Sequence, residues 1–170
     1  MTISFKDKVV IVTGSGGGLG RSHALQFAER GAKLVINDLG GAVDGSGGSS
    51  EAADKVVKEI KDMGGEAISN GSSVTDKEGV QKLIDDTMGA FGRIDVLVNN
   101  AGVMHTPQQT TDEGFELQFG VNFLSHFLLT ELLLPTLEKT KDSRIIHTSS
   151  VMHDRASIDL EDLNFEKRKY

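Results

Sequence analysis

Cysteine is absent from the 170 residues, tyrosine occurs only once, and basic side chains are outnumbered 18 to 25 by acidic ones. Without cysteine there is no disulfide framework and no thiolate chemistry, which suits a reducing compartment. The net charge of −7 argues against nucleic acid or an anionic membrane as a partner. No run reads as long and apolar enough to span a bilayer, so no membrane span is expected. The N-terminal Met1-Thr-Ile-Ser-Phe-Lys6 has no signal-peptide pattern, and Arg168-Lys-Tyr170 is not a peroxisomal Ser-Lys-Leu address. Histidines 105, 126, 147 and 153 form no His-x-x-x-His pair, so no metal site is expected. The expectation is a soluble, intracellular chain, 1–170, folded as a single domain around its 38% apolar content.

Strand and helix signals alternate along the chain, which predicts βαβ units and a parallel sheet. Strands are expected near 8–13, 33–38, 66–70, 94–98 and 143–148, as Val/Ile/Leu runs suited to burial on both faces. Helices are expected near 18–30, 50–63, 76–91 and 111–139, with Gly31 and Gly64 as stops and Thr75 capping the third, paired with Glu78. The five glycines of 40–50 read as a flexible loop between the second strand and its helix. The predicted fold class is α/β, a doubly wound, Rossmann-like sheet ordered 3-2-1-4-5.

The richest segment is Lys8-Val-Val-Ile-Val-Thr-Gly14-Ser-Gly-Gly-Gly18-Leu-Gly20-Arg21, an apolar strand feeding spaced glycines and then a helix. Glycines there allow a tight turn, the approach of a pyrophosphate to the backbone, and close packing of helix on strand. The helix start adds N–H groups and a partial positive charge. A glycine-rich strand–helix turn is the plain alternative, but the strand and helix context and Asp38, 18 positions after Gly20, favour a dinucleotide. Asp38 can accept both hydroxyls of an adenine ribose and repels a 2′-phosphate, so NAD is expected and NADP disfavoured. Arg21 could serve a 2′-phosphate, though its position suits the solvent face of the first helical turn.

The spacing Thr-Gly-x-x-x-Gly-x-Gly, with glycines at 14, 18 and 20, resembles the short-chain dehydrogenase/reductase family. So do Asn99-Asn-Ala-Gly102 after an apolar run, Asn122 in Gly-Val-Asn-Phe-Leu-Ser-His, and Ser149-Ser150 after Arg144-Ile-Ile-His-Thr148. Residues 1–103, with Asp38-Leu-Gly-Gly41 and its glycine-rich loop, resemble the hydroxyacyl-CoA dehydrogenase part of the peroxisomal multifunctional enzyme. Residues 104–170 resemble the retinol-dehydrogenase group.

The resemblance implies an NAD(P)-dependent oxidoreductase of small alcohols or carbonyl compounds, cytoplasmic or peroxisomal. It implies dinucleotide contacts at Gly14, Ser15, Gly18, Leu19, Gly20, Asp38, Ser73, Val74, Asn100, Ala101 and Gly102. Ser73 stands where the family has an adenine-binding Asp. Among catalytic positions it implies Ser150, holding the substrate oxygen, and Asn122, in a proton relay. Asn122 is expected to be a buried polar group in an otherwise apolar helix, with a helix-capping or core hydrogen bond as the alternative reading. The family's Tyr-x-x-x-Lys pair has no counterpart, because the one tyrosine, Tyr170, has no residue 174 and follows Lys167 and Lys169 on a run that reads as a solvated tail. The chain is therefore expected to lack catalytic turnover while retaining dinucleotide binding, and to stop short of the family's next helix. That would leave strand 143–148 as an edge and expose Phe123, Phe127 and Leu133 or their neighbours. Substrate and homo-oligomerisation are left open.

Overall fold

Five residues of β1, Val9–Thr13, are all buried, and every flanking element is arranged around them. The computed structural model describes residues 3–41, 51–155 and 157–170, so most of the glycine-rich loop, 42–50, lies outside the described residues. β1 pairs in parallel with β2 (Lys33–Asn37) and β4 (Val96–Asn99); β3 (Glu66–Asn70) and β5 (Arg144–His147) complete the sheet, ordered β3-β2-β1-β4-β5. This is the expected order. Ile11 lies opposite Val35 on one side and Leu97 on the other.

Because side chains alternate across a strand, β1 feeds two cores. Val10 and Val12 pack with Leu34, Ile36 and the buried face of α2 (Glu51–Asp62), which presents Ala53, Val56, Val57 and Ile60. Ile11 and Val35 pack on the other face with Leu83 and Ile84 of α3 (Lys77–Phe91) and with Leu129, Leu133 and Leu137. The first helix, α1 (Gly18–Ala28), uses small residues instead, burying Gly20 and Ala24 against the sheet.

Several expectations about the helices are corrected. The α3 cap is Asp76, not Thr75: its carboxylate accepts the N–H of Glu78 at 3.2 Å and of Gly79 at 2.8 Å, while Thr75 pairs with the Ser73 hydroxyl. A carboxylate at that point also meets the positive end of the helix dipole. The helix expected from 111 begins at Leu117. Gly114, at φ +86°, turns the chain so that Thr110 bridges Glu116, and the Glu116 carboxylate caps Gln118 and Phe119 at 2.8 and 2.7 Å. The helix then runs as α4 (Leu117–Phe119), a π turn (Gly120–Leu124) and α5 (Ser125–Glu138).

One run, Leu117–Glu138, is more apolar than the sequence reading allowed. It is 22 residues with a mean hydropathy of 1.3, long and apolar enough to cross a bilayer by length and composition, with 28% of its window buried. Leu129 and Leu133 are fully buried in the second core, so Leu133 is not exposed as expected, whereas Phe123 and Phe127 are about three-fifths exposed, at 58% and 60%. β5 is the sheet edge, and Ile146 on it is partly exposed.

The amino end of the sheet is held by Asp95, which an apolar reading of 94–98 passed over. Its buried carboxylate accepts Val9 N–H and Lys8 Nζ, each at 3.0 Å, and Arg93 Nε at 2.8 Å and Nη2 at 2.6 Å. Burial pushes this carboxyl up, but the Arg93 guanidinium, the Val9 N–H and the Lys8 ammonium outweigh it and hold it below the ordinary 3.8. Folding therefore releases protons from Asp95 in acid. Its stabilisation is complete above the ordinary carboxylate range and disappears as pH falls through its lowered folded value. Asp95→Ala is expected to destabilise the chain by about 2–4 kcal/mol, since it strands a buried N–H and two cations. It should also flatten the acid limb of stability against pH. Urea denaturation at neutral and acid pH, for wild type and variant, checks both outcomes.

Candidate active site

At the carboxyl edge of the sheet, the loop after β1 and the turn after β4 come into direct contact. Gly14 adopts φ +60°, and a Cβ there would lie 2.7 Å from Ala101 Cα. A Cβ on Gly20 would lie 2.1 Å from the Gly14 carbonyl and 2.5 Å from Asn100 Nδ2. Only glycine permits this approach of α1 to β1. Gly17 precedes the helix without a side-chain cap, and Gly17 and Gly18 face open space. The first N–H groups of α1 thus lie beneath an uncrowded backbone. Ser15 is buried and ties the loop down, its Oγ donating to Val12 O at 2.6 Å and its N–H to Asn37 O at 3.1 Å. Leu19 projects outward, two-thirds exposed.

Asp38 sits beside this loop at the end of β2. Its Oδ2 accepts Gly16 N–H at 2.6 Å and its Oδ1 accepts Gly40 N–H at 2.7 Å. The carboxylate therefore shapes the glycine loop as well as flanking it. Arg21 points elsewhere: its guanidinium makes a two-pronged ion pair with Glu59 of α2, Nε lying 3.0 Å from Oε2 and Nη2 pairing with Oε1. Ser73 and Val74 follow β3, the serine hydroxyl 2.8 Å from Thr75 Oγ1 and the valine buried.

The turn after β4 is fastened from two sides. Thr13 Oγ1 accepts the N–H of Asn100 at 3.0 Å and of Ala101 at 2.9 Å, and Asn100 Nδ2 donates back to Thr13 O and Gly14 O at 2.9 and 3.0 Å. Asn100 thus holds the glycine turn with its side chain. From the helix side, Asn122 Oδ1 accepts Val103 N–H at 2.8 Å, and its Nδ2 donates to Val103 O at 2.9 Å. The expectation that Asn122 is buried is corrected, since it is solvent-exposed. Of its two readings, the hydrogen-bonded one has a visible partner, a backbone turn on the surface. The π turn is the local feature that sets it there, with Ser125 N–H reaching back to Gly120 O. His126, one turn further on, is buried with Nε2 2.8 Å from Ala101 O.

Ser150 lies just beyond β5 and is exposed, its Oγ accepting Met152 N–H at 3.2 Å. Thr148, two residues before it, donates its N–H to Asn99 O at 2.9 Å, so this strand end is registered against the same turn. Tyr170 is engaged elsewhere, with the segment that leads into the long helix. Its hydroxyl donates to Glu116 Oε1 at 2.8 Å, accepts from Gln118 Nε2 at 2.7 Å and lies 2.7 Å from Thr106 Oγ1. The solvated tail is a further expectation corrected. Asp162 is buried and gathers the N–H groups of Glu166, Lys167 and Arg168 at 2.7 to 3.1 Å, and the Phe165 ring meets Tyr170 edge-on at 5.2 Å. Burial pushes the Asp162 carboxyl up, but the N–H groups of Lys167, Glu166 and Arg168 and the Arg168 charge hold it below its ordinary range. Among the described residues, no group of three His, Cys, Asp or Glu side chains could hold a metal ion.

Thr13, His126 and Glu116 carry this geometry without having been singled out for it by sequence. For His126 a signal was present: it lies four residues after Asn122, on the same helix face. The loop, Asp38, the Asn99–Gly102 turn and the Asn122 helix do converge at one edge.

The short chain dehydrogenase family matches residues 8–160. The chain is 47% identical over 152 residues to peroxisomal multifunctional enzyme A of Dictyostelium discoideum, covering 88% of this chain and 34% of that protein. It is 39% identical over 172 residues to retinol dehydrogenase 13 of Homo sapiens, covering 96% of this chain and 47% of that protein. The chain thus spans about a third to a half of the length of these curated relatives. A solved 7α-hydroxysteroid dehydrogenase, complexed with NADH and 7-oxo glycochenodeoxycholic acid, superposes with a TM-score of 0.78 at 29% identity, covering 95% of this chain and 60% of that one. Because the family match runs through all five strands and not through the glycine loop alone, the chain belongs to the short-chain dehydrogenase family.

Proposed function

We propose that the chain binds NAD at the carboxyl edge of its sheet, in preference to NADP, as the cofactor-binding part of an alcohol/carbonyl oxidoreductase. The observation that carries this reading is the contact of Gly14 and Gly20 with the Asn100–Ala101 turn, which leaves open backbone at Gly17 and Gly18 above the α1 N-terminus. Pyrophosphate would be held by the loop from Gly14 to Gly20, with Ser15 bracing it and Leu19 on its rim. Asp38 would hold the adenine ribose, Ser73 and Val74 would flank adenine, and Asn100, Ala101 and Gly102 would line the cofactor's other ribose. A bound nicotinamide supplies hydride exchange with a carbinol or carbonyl carbon. Ser150 would hold the substrate oxygen, and Asn122 would sit at the relay position.

Asp38 supports the preference for NAD, since a 2′-phosphate would be forced against its carboxylate. Arg21, the cation next to the loop, is already paired with Glu59. NAD is therefore expected to bind at least about tenfold more tightly than NADP, a difference near 1.4 kcal/mol. Asp38→Ala should bring the two within about threefold while weakening NAD itself, because Gly16 and Gly40 lose their acceptor. Calorimetric titration of both dinucleotides against both proteins measures this, and equal affinities in the wild type would remove Asp38 from the ribose role.

Residues 1–170 are expected to give no turnover above background on steroid, retinoid or 3-hydroxyacyl-CoA substrates with NAD saturating. General acid–base catalysis contributes about 10²–10⁴-fold. The one tyrosine among residues 1–170 is engaged with Glu116, Gln118 and Thr106. A substrate screen with Tyr170→Phe and Ser150→Ala alongside checks the point. Robust turnover abolished by Tyr170→Phe would make Tyr170 the acid and overturn the silent reading.

A further inference from the structure

Ala101, which meets the glycine loop, and Val103 beyond it are held by three different side chains. The N–H of Ala101 ends on Thr13 Oγ1, and both polar groups of Val103 end on Asn122. Between them lies the carbonyl of Ala101, turned toward α5, where His126 Nε2 meets it at 2.8 Å. A carbonyl only accepts, so Nε2 carries the proton. His126 is 7% exposed. Burial lowers its affinity for a second proton below that of an ordinary histidine; the Ala101 carbonyl opposes this and the His147 ring, 6.3 Å away, adds to it. At neutral pH the ring is therefore neutral and protonated on Nε2.

The mechanical consequence follows from Gly14. Its α-carbon is so close to Ala101 that a Cβ would lie 2.7 Å from Ala101 Cα. The Gly14 and Ala101 backbones leave no room for a side chain between them, so a shift of Ala101 toward the loop must move the first glycine with it. Asn122 and His126, four apart on one helix face, grip the turn at two successive points.

We propose that His126 is a positioning residue for the dinucleotide, fixing the Ala101–Val103 turn through the Ala101 carbonyl and thereby the glycine loop seated on it. This rests on the dinucleotide reading above. The test compares wild type, His126→Ala and His126→Gln, the last keeping an N–H donor of similar reach, in NAD titrations and in amide hydrogen exchange of Ala101 and Val103 relative to Ile11 in β1. Nitrogen NMR of the wild type reads which ring nitrogen of His126 is protonated.

The expected result is an Nε2–H ring and about a tenfold loss of NAD affinity in His126→Ala. Exchange at Ala101 and Val103 should be accelerated about tenfold over Ile11, and His126→Gln should restore both readouts. Unchanged NAD affinity and exchange in His126→Ala overturn the proposal and leave the dinucleotide reading standing. Equal acceleration at Ile11 also overturns it, because the loss is then global. A wild type that binds no NAD removes the dinucleotide reading and, with it, the link from the turn to the cofactor, whereas the exchange ratios still decide whether His126 fixes the turn.

Discussion

The hydroxyl of Thr13 and the side-chain amide of Asn100 bind the carboxyl ends of β1 and β4 to one another, and the geometry of the whole edge depends on that exchange. A parallel sheet leaves polar backbone groups without ladder partners where its strands stop. Here two N–H groups converge on Thr13 Oγ1, and the Asn100 amide returns two hydrogen bonds to the carbonyls of Thr13 and Gly14. The turn after β1 can then be drawn against the turn after β4 only because Gly14 and Gly20 have no side chains in the gap. The same contact explains why the glycines, the Asn–Asn turn and the helix bearing Asn122 belong to one unit.

β1 is held at its other end by charge. Asp95 joins Val9, Lys8 and Arg93 before β4 begins, so the central strands are registered by hydrogen-bonded side chains at both ends, and the Val/Ile/Leu faces between them fill two cores. A buried carboxylate is tolerable there because three partners replace its water. The contrast with the 104–118 connection is instructive. That stretch is fixed from outside the sheet, by Asn164 accepting Glu116 N–H and donating to Gly114 O, and by the Tyr170 hydroxyl on Glu116. Residues 157–170 are thus a clasp on the entrance to the long helix.

Strand runs such as Val9–Thr13 and Lys33–Asn37 were legible because a strand covered on both faces must be apolar throughout. The glycine spacing was legible because close approach tolerates no other residue. Caps were less so: Thr75 and Asp76 are both good N-cap residues, and the choice between them rests on which oxygen reaches Gly79. The long helix starts later than expected because Gly114 turns the chain and Thr110 bridges Glu116, a pairing no local pattern announces.

By itself, the sequence determined where the five strands and the glycine loop lie and that Asp38 stands at the end of the second strand, since each follows from a local requirement of backbone conformation, periodicity or charge. Tertiary structure alone decided that Asn122 faces a surface turn, that Arg21 turns to Glu59, that Asp162 folds the final segment and that Tyr170 sits against Glu116. The physical reason is the same in each case. A polar side chain takes the partner that neighbouring elements bring within about 3 Å, and those partners lie 19 to 54 residues away in the chain or in a turn whose shape they set.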